Sequence, residues 1–457
     1  VPQEEFPVAQ EEFPEGFWQF NSGGFGVYRK ASANGNWVAT MKGFTSDYWG
    51  AEIFVTQNRY GRYQSYGALE IMYPGGRGGS GIGLEGWDWN KVPGTTTIHV
   101  SYESLRAKFQ RQDELQLSDY LGAVRFQPRP NGLRNIEGEG GFFAMEFEQD
   151  PINSCRTADE DFSSSPKYSK RPCLLDSEDV LDGGSDPDQW DVSDHSVGFT
   201  FKKSIFAIDG KMILLGSSIS NSDATSNTAT NLFQITPSYS PFAFILNNNT
   251  IDNQSHNAVA DLSQAQWIID NAAGFAGGTG YYIPSCSGNV GDCPELHTLR
   301  DSQQRAPLEN AKSDYYHLFD SLWTSGPERD LWGEGDVISA WLDHGTEPDG
   351  ASYEYVVIPS TTAGEMEAFA SAQAANPEDF YKIHKQNDDA HIIEHTASGI
   401  TGYALFSANA PTPIGSGPII QSSAPIIAAA QQDGNDSLVL HVVNPDFGTQ
   451  YRVTDPA

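Results

Sequence analysis

Glu52, in the stretch Trp49-Gly50-Ala51-Glu52-Ile53, is an acid set among small neighbours. Gly50 and Ala51 let another surface approach closely, and strand alternation turns Glu52 away from the face that carries Ala51 and Ile53. A carboxylate so placed can orient a cation or a hydroxyl; it can equally be one solvated acid on the outer face of a strand. Arg59 and Arg62 flank Tyr60-Gly61 a little further on. Their guanidinium groups suit paired hydrogen bonds to carboxylate or sulfate, or ion pairs within the protein itself. Trp87 and Trp89 alternate, so a strand or bulge there puts both indoles on one side, to stack on a sugar ring or to fill a core.

Other reactive residue types carry weaker patterns. His99, His344, His391 and His395 have no Ser, Cys or metal-type spacing around them and read as structural or exposed. The acidic run holding Asp182, Asp186, Asp188 and Asp191 has the oxygen ligands to wrap calcium but lacks the EF-hand register, and a solvated loop is the simpler reading. Cys155 with Cys173 and Cys286 with Cys293 are two local pairs in polar, loop-like segments, so two disulfides and an oxidising compartment are expected. A zinc site built on Cys286, Cys293 and His297 has only three ligands and no Cys-x-x-Cys. Gly81-Ile82-Gly83-Leu84-Glu85-Gly86 satisfies the dinucleotide fingerprint, yet Trp87-Asp88-Trp89-Asn90 and Pro93 do not open a helix, so a glycine-rich loop is expected.

The elements that position these residues are mostly strands. The chain has 457 residues with Gly 45, Pro 26 and 12% aromatics, a composition of strands joined by turns. Short apolar alternations recur between Gly, Pro and Asn, as in Val38-Ala39-Thr40-Met41, Ala68-Leu69-Glu70-Ile71-Met72 and Val197-Gly198-Phe199-Thr200-Phe201. One helix is expected over residues 361 to 375, with Met366, Phe369 and Ala370 on one face and Asn376-Pro377 ending it, laid over a sheet. The opening repeat, Gln3-Glu4-Glu5-Phe6-Pro7 then Gln10-Glu11-Glu12-Phe13-Pro14, reads as an extended linker. Residues 150 to 195 form a polar, acidic insertion.

The net charge of -33 argues against nucleic acid or an anionic membrane as partner, because binding a polyanion needs a positive footprint. No run of about 20 apolar residues is present to span a membrane. Any acidic ligand must therefore meet a local basic cleft, such as one around Arg59, Arg62 and Lys91, or a positive wall supplied by another segment. Asn248-Asn249-Thr250, Asn253-Gln254-Ser255 and Asn435-Asp436-Ser437 are glycosylation acceptor patterns, or chance in an Asn-rich chain.

Two dense motifs run Asn58-Arg59-Tyr60-Gly61-Arg62-Tyr63-Gln64-Ser65 and Gly86-Trp87-Asp88-Trp89-Asn90-Lys91-Val92-Pro93-Gly94-Thr95-Thr96-Thr97-Ile98-His99. With Phe201-Lys202-Lys203-Ser204, Ser339-Ala340-Trp341-Leu342-Asp343-His344 and Ala351-Ser352-Tyr353-Glu354-Tyr355 following in order, the chain resembles the β-sandwich half of chondroitin ABC-type enzymes of polysaccharide lyase family 8. The resemblance implies a mostly β protein. A large antiparallel β-sandwich of the galactose-mutarotase-like supersandwich type would fill residues 16–385, and the start of a smaller β-domain would fill 386–457.

It also implies a secreted enzyme that cleaves chondroitin, dermatan or hyaluronan-like chains by β-elimination. A base removes the C5 proton of a uronate, an acid protonates the leaving oxygen, and preorganised donors and cations meet the charge that develops. The family's base and acid, a His and a Tyr in a His-Glu-Gly-Asn-Tyr-Pro-Gly-Tyr type stretch, and its catalytic Arg lie in a helical toroid ahead of the sandwich. This sequence has no such stretch. Only the family's Glu, which holds the Arg and Tyr in place, maps here, onto Glu52. Substrate contacts are implied for Asn58, Arg59, Arg62 and Trp87, no cofactor is required, and the toroid, as domain or separate chain, becomes a partner. Residues 1–15 are then the linker from that toroid, and this chain alone is inactive. The rival expectation is a non-catalytic carbohydrate-binding or structural protein that keeps only the sandwich.

Overall fold

The computed structural model describes residues 14–445 except 33, 47–49, 51–60, 75–79, 82–85, 102–104, 106–115, 127–139, 150–196, 237–242, 253–254, 271–277, 287–292, 305–333, 410, 414 and 433–437. The expected linker and acidic insertion fall outside these residues, but for Pro14 and Glu15.

A nine-stranded antiparallel sheet organises the molecule. Its middle strand neighbours are Gly278–Ile283, Ala351–Thr361, Lys211–Asn221, Phe199–Ile208 and Gly140–Gln149, in that order, with Leu121–Phe126 at one edge. Both faces of this sheet are covered, which is why Met212, Ile213, Leu214 and Leu215 form an unbroken apolar run, all fully buried. On one face, Phe147, Phe201, Ile205 and Leu214 share a core with Phe17, Tyr28 and Met41 of a four-stranded sheet and with Leu232, Ile338 and Leu342 of a five-stranded sheet. Two stacked layers with alternating residues between them make the expected sandwich.

On the other face, Phe142, Phe206, Ile208 and Ile213 pack against Ile393, Ile400, Ala404 and Ile427 of a C-terminal five-stranded sheet. That sheet runs Tyr381–Gln386, Ala390–His395, Ile400–Leu405, Ile426–Gln432 and Leu438–Val443 in simple sequential order. The expected division at 385/386 thus falls within its first strand.

The helix spans Ala363–Ala375. Thr362 accepts from the Glu365 amide while the Glu365 carboxylate accepts from the Thr362 amide, closing a capping box. Met366 is buried, and Phe369 and Ala370 pack beside it over the nine-stranded sheet. Asn376 stands at the C-cap in an extended conformation, which ends the helix before Pro377. The Phe244–Leu246 and Asn249–Ile251 strands turn through Asn247 and Asn248, both at positive φ (47° and 68°), the conformation a two-residue type I′ hairpin demands. One acceptor pattern, Asn248-Asn249-Thr250, therefore lies on a tight hairpin turn.

Candidate functional site

The first motif ends in a buried 3-10 turn, Gly61–Tyr63. Tyr63 donates its hydroxyl to the Ile98 carbonyl at 2.8 Å, and Arg62 Nη2 donates to the Tyr63 hydroxyl at 3.2 Å with its guanidinium 4.9 Å above the Tyr63 ring. Arg62 is 4% exposed, so its head group is turned into the protein. Ser65 Oγ donates to the Gly50 carbonyl at 2.6 Å, tying the motif to the segment that leads into Glu52. Tyr66 closes the turn within a cluster of Phe44, Tyr63 and Phe147 rings.

The second motif is a chain of turns that only becomes a strand at Thr96–Ile98. The strand or bulge expected at Trp87 and Trp89 is therefore corrected. Their indoles meet edge to face, 6.2 Å between centroids, because a turn brings them together rather than strand alternation. Trp87 is nearly buried and lines a cleft with Tyr73, Asp270, Thr279 and Tyr281. No helix follows Gly86 in the described turns, in keeping with a glycine-rich loop rather than a dinucleotide site.

Asn231, on strand Thr228–Ile235, holds these turns in place. Its fully buried amide donates to the Asn90 carbonyl at 3.0 Å, to Thr95 Oγ1 at 3.1 Å and to Thr97 Oγ1 at 3.0 Å. Its Oδ1 lies 3.1 Å from His99 Nε2, and Gly94 N donates to its backbone carbonyl at 2.7 Å. Gln234, further along the same strand, exchanges bonds with the backbone of Asp88. Lys91 Nζ sits 3.4 Å from the centroid of Trp341, whose ring stacks on His297 at 5.0 Å. Asp343 accepts from Asn227 and from the Gly345 amide.

A fully buried lysine joins the two motifs. Lys203 Nζ donates to the Gly67 carbonyl at 2.6 Å and to the Gly94 carbonyl. Burial pulls its pKa down to about 7.

Burial pushes three of the histidines well below their ordinary range. Burial, and then the charge of Lys91, push His99 down to about 4. Burial pushes His344 to about 4. His391 stands between Ser204 Oγ (2.7 Å) and Ser217 Oγ (2.9 Å), and burial, then Lys202, push it to about 3. Among the described residues no group of three or more His, Cys, Asp and Glu could hold a metal ion.

Of the substrate residues expected from the sequence, Arg62 is turned onto Tyr63, which bonds the strand ending the second motif, and Trp87 lines the cleft beside Tyr73 and Asp270. Glu52, Asn58 and Arg59 lie outside the described residues, as do Asp182, Asp186, Asp188, Asp191, Cys155 and Cys173. Cys286 and Cys293 are disulfide-bonded, with Cα atoms 5.8 Å apart, which removes the zinc alternative at that pair. Asn231 and Lys203 are site residues that no motif of reactive residue types marks in the sequence. For Lys203 the signal is a lysine at an alternating position shared with Phe201 and Ile205; for Asn231 there is none.

The described backbone and motifs match known proteins throughout. The model of the polysaccharide lyase family 8 super-sandwich domain matches residues 15–128 and 188–370. A chondroitin sulfate ABC endolyase of Proteus vulgaris is 28% identical over 452 residues, 98% of this chain and 35% of that protein. A chondroitin sulfate ABC exolyase of Bacteroides thetaiotaomicron is 25% identical, again over 98% of this chain and 35% of its own length. This chain thus spans about a third of the length of these curated relatives. Solved structures share the fold: a chondroitinase AC lyase with TM-score 0.62 at 17% identity, covering 95% of this chain and 49% of that one, and a Paenibacillus xanthan lyase with TM-score 0.61 at 17% identity, covering 95% and 32%.

Proposed function

This chain belongs to polysaccharide lyase family 8 and carries its super-sandwich domain, and on that footing we propose that it is the sandwich part of a secreted lyase that cleaves uronate-containing glycosaminoglycans of the chondroitin and dermatan sulfate type, or hyaluronan-like chains, by β-elimination. The observation that carries this reading is the alignment of nearly the whole chain with relatives named as chondroitin sulfate ABC lyases. The base, the acid and the arginine come from a helical toroid, as domain or separate chain. Glu52 holds the arginine and the tyrosine acid in place, and the segments of Asn58, Arg59, Arg62 and Trp87 line the substrate side. Elimination needs no redox group. Calcium at Asp182, Asp186, Asp188 and Asp191 would order the acidic insertion rather than take part in the reaction. The Cys286–Cys293 disulfide supports an oxidising, extracellular setting.

The test gives chondroitin sulfate to the protein together with its toroid, as domain or separate chain, and follows the ultraviolet absorbance of unsaturated uronate. Rising absorbance is expected; none, with a folded toroid present, overturns the proposal. The second reading, a binding or structural protein, draws on the net charge of -33, which disfavours a polyanion. Retention of chondroitin sulfate without product would favour it.

A further inference from the structure

We infer that Lys203 is a positioning residue for the site: by holding the Gly67 and Gly94 carbonyls on one amino group, it sets the spacing between the segment from Arg62 to Gly67 and the segment that carries Trp87. The inference rests on the lyase reading above for its catalytic consequence, and on geometry alone for the clamp.

Lys203 lies in the middle of strand Phe199–Ile208, between Met145 and Gly216 of the flanking strands. Alternation sends the two adjacent lysines to opposite faces. Lys202 reaches Glu146 at 3.2 Å and the Asp388 carbonyl at 2.6 Å, on the side of the C-terminal sheet. Lys203 shares its face with Phe201 and Ile205 and enters the sandwich core, where it has no exposure at all. Its acceptors there are backbone carbonyls, and its pKa falls through burial alone. Among the described residues its partners are carbonyls and not a carboxylate, burying such a polar head is costly, and a slot that needed only volume would be filled better by Met or Leu. What an apolar chain cannot do is satisfy two carbonyls that point into the core.

Those carbonyls belong to glycines held at φ +77° and +79°. A Cβ on Gly67 would stand 2.6 Å from Lys203 Cδ, so the glycine admits the lysine. From Gly67 the connection runs back through Ser65, whose hydroxyl binds the Gly50 carbonyl just ahead of Ala51-Glu52. From Gly94 it runs into the turns of the second motif, which Asn231 secures from the other side. One side chain on the rigid nine-stranded sheet therefore references both segments to the same point.

Lys203→Met keeps the volume and removes the donor; Lys203→Arg restores a cation. Hydrogen exchange is read on this chain, and steady-state kinetics with chondroitin sulfate on the complete protein. In Lys203→Met, the amides of residues 61–69 and 90–98 should lose protection together by about tenfold while the C-terminal sheet is unchanged. The kcat should fall about tenfold with KM moving less than about threefold, because the spacing of the two segments matters most in the transition state, and Lys203→Arg should recover part of it. Unchanged exchange in either segment overturns the clamp, as does a Lys203→Met enzyme with native kcat. If Lys203→Met does not fold, Ser65→Ala cuts the same connection nearer its end; a native kcat there also overturns the inference. Wild-type protein that yields no unsaturated product sinks the lyase reading by itself, and the exchange result still decides the clamp.

Discussion

Asn231 Nδ2 stands 3.0 Å from the carbonyl oxygen of Asn90, a residue 141 positions away, and this bond is the centre of the network that shapes the second motif. The same amide serves the hydroxyls of Thr95 and Thr97, and its oxygen faces His99. Asn231→Ala leaves several buried acceptors bare at once and should cost about 3 kcal/mol, read as a lower denaturant midpoint with an unchanged slope. Asn231→Asp, which turns an acceptor and a buried charge toward those same oxygens, should cost more. A loss below about 1 kcal/mol for the alanine variant would show that the turns hold without it.

Acid should loosen the protein in a definite window. His99, His344 and His391 sit at about 4, 4 and 3 in the folded chain against 6.5 when free, so each is neutral in the fold and protonates more readily when unfolded. Their stabilising contribution is complete above 6.5 and is lost as pH falls toward 4, because the unfolded chain binds the extra protons there. Denaturant midpoints should drop steadily across that range. His391→Asn removes one titrating group and should reduce the slope by up to about 1.4 kcal/mol per pH unit; an identical slope would remove His391 from the account.

Glu52→Gln keeps the shape of the side chain and removes its charge. In the complete protein the expected result is a fall in kcat of about 100-fold or more, with the near-ultraviolet circular dichroism of the sandwich unchanged. Near-native turnover would take Glu52 out of the proposed mechanism while leaving the family membership as it stands.

The Cys286–Cys293 bridge joins the end of strand Gly278–Ile283, in the nine-stranded sheet, to the start of strand Glu295–Gln304, in the facing five-stranded sheet. Reduction should lower stability by about 2.5 kcal/mol on the loop-closure estimate for so short a segment. The comparison is a thermal or denaturant transition with and without reductant, using Cys286→Ser/Cys293→Ser as the control that should no longer respond. An unshifted transition on reduction would mean that the packing of the two sheets carries this corner unaided.

Much of the architecture was legible because its causes are local. Alternating apolar residues between Gly, Pro and Asn specify strands wherever they occur, and Thr362 with Glu365 closes the capping box of Ala363–Ala375 within four residues of chain. The ordered motifs were enough to name a family, which the super-sandwich match then established. Other features depend on which strands lie side by side and which faces are stacked. Nothing near Trp87 and Trp89 announces that they meet across a turn rather than along a strand, and nothing near Arg62 announces that its guanidinium turns inward over Tyr63. Asn231 reads as an ordinary polar residue until strand Thr228–Ile235 is laid beneath the turns it satisfies. Alternation sends Lys202 and Lys203 to opposite faces, but that Lys203 enters a core is decided only when both faces of the nine-stranded sheet are covered. Local pattern sets the period of a strand and so the direction of each side chain relative to its neighbours. What lies in that direction, core, carbonyl or solvent, is decided by contacts between segments more than a hundred residues apart, and only the closed tertiary structure brings those together.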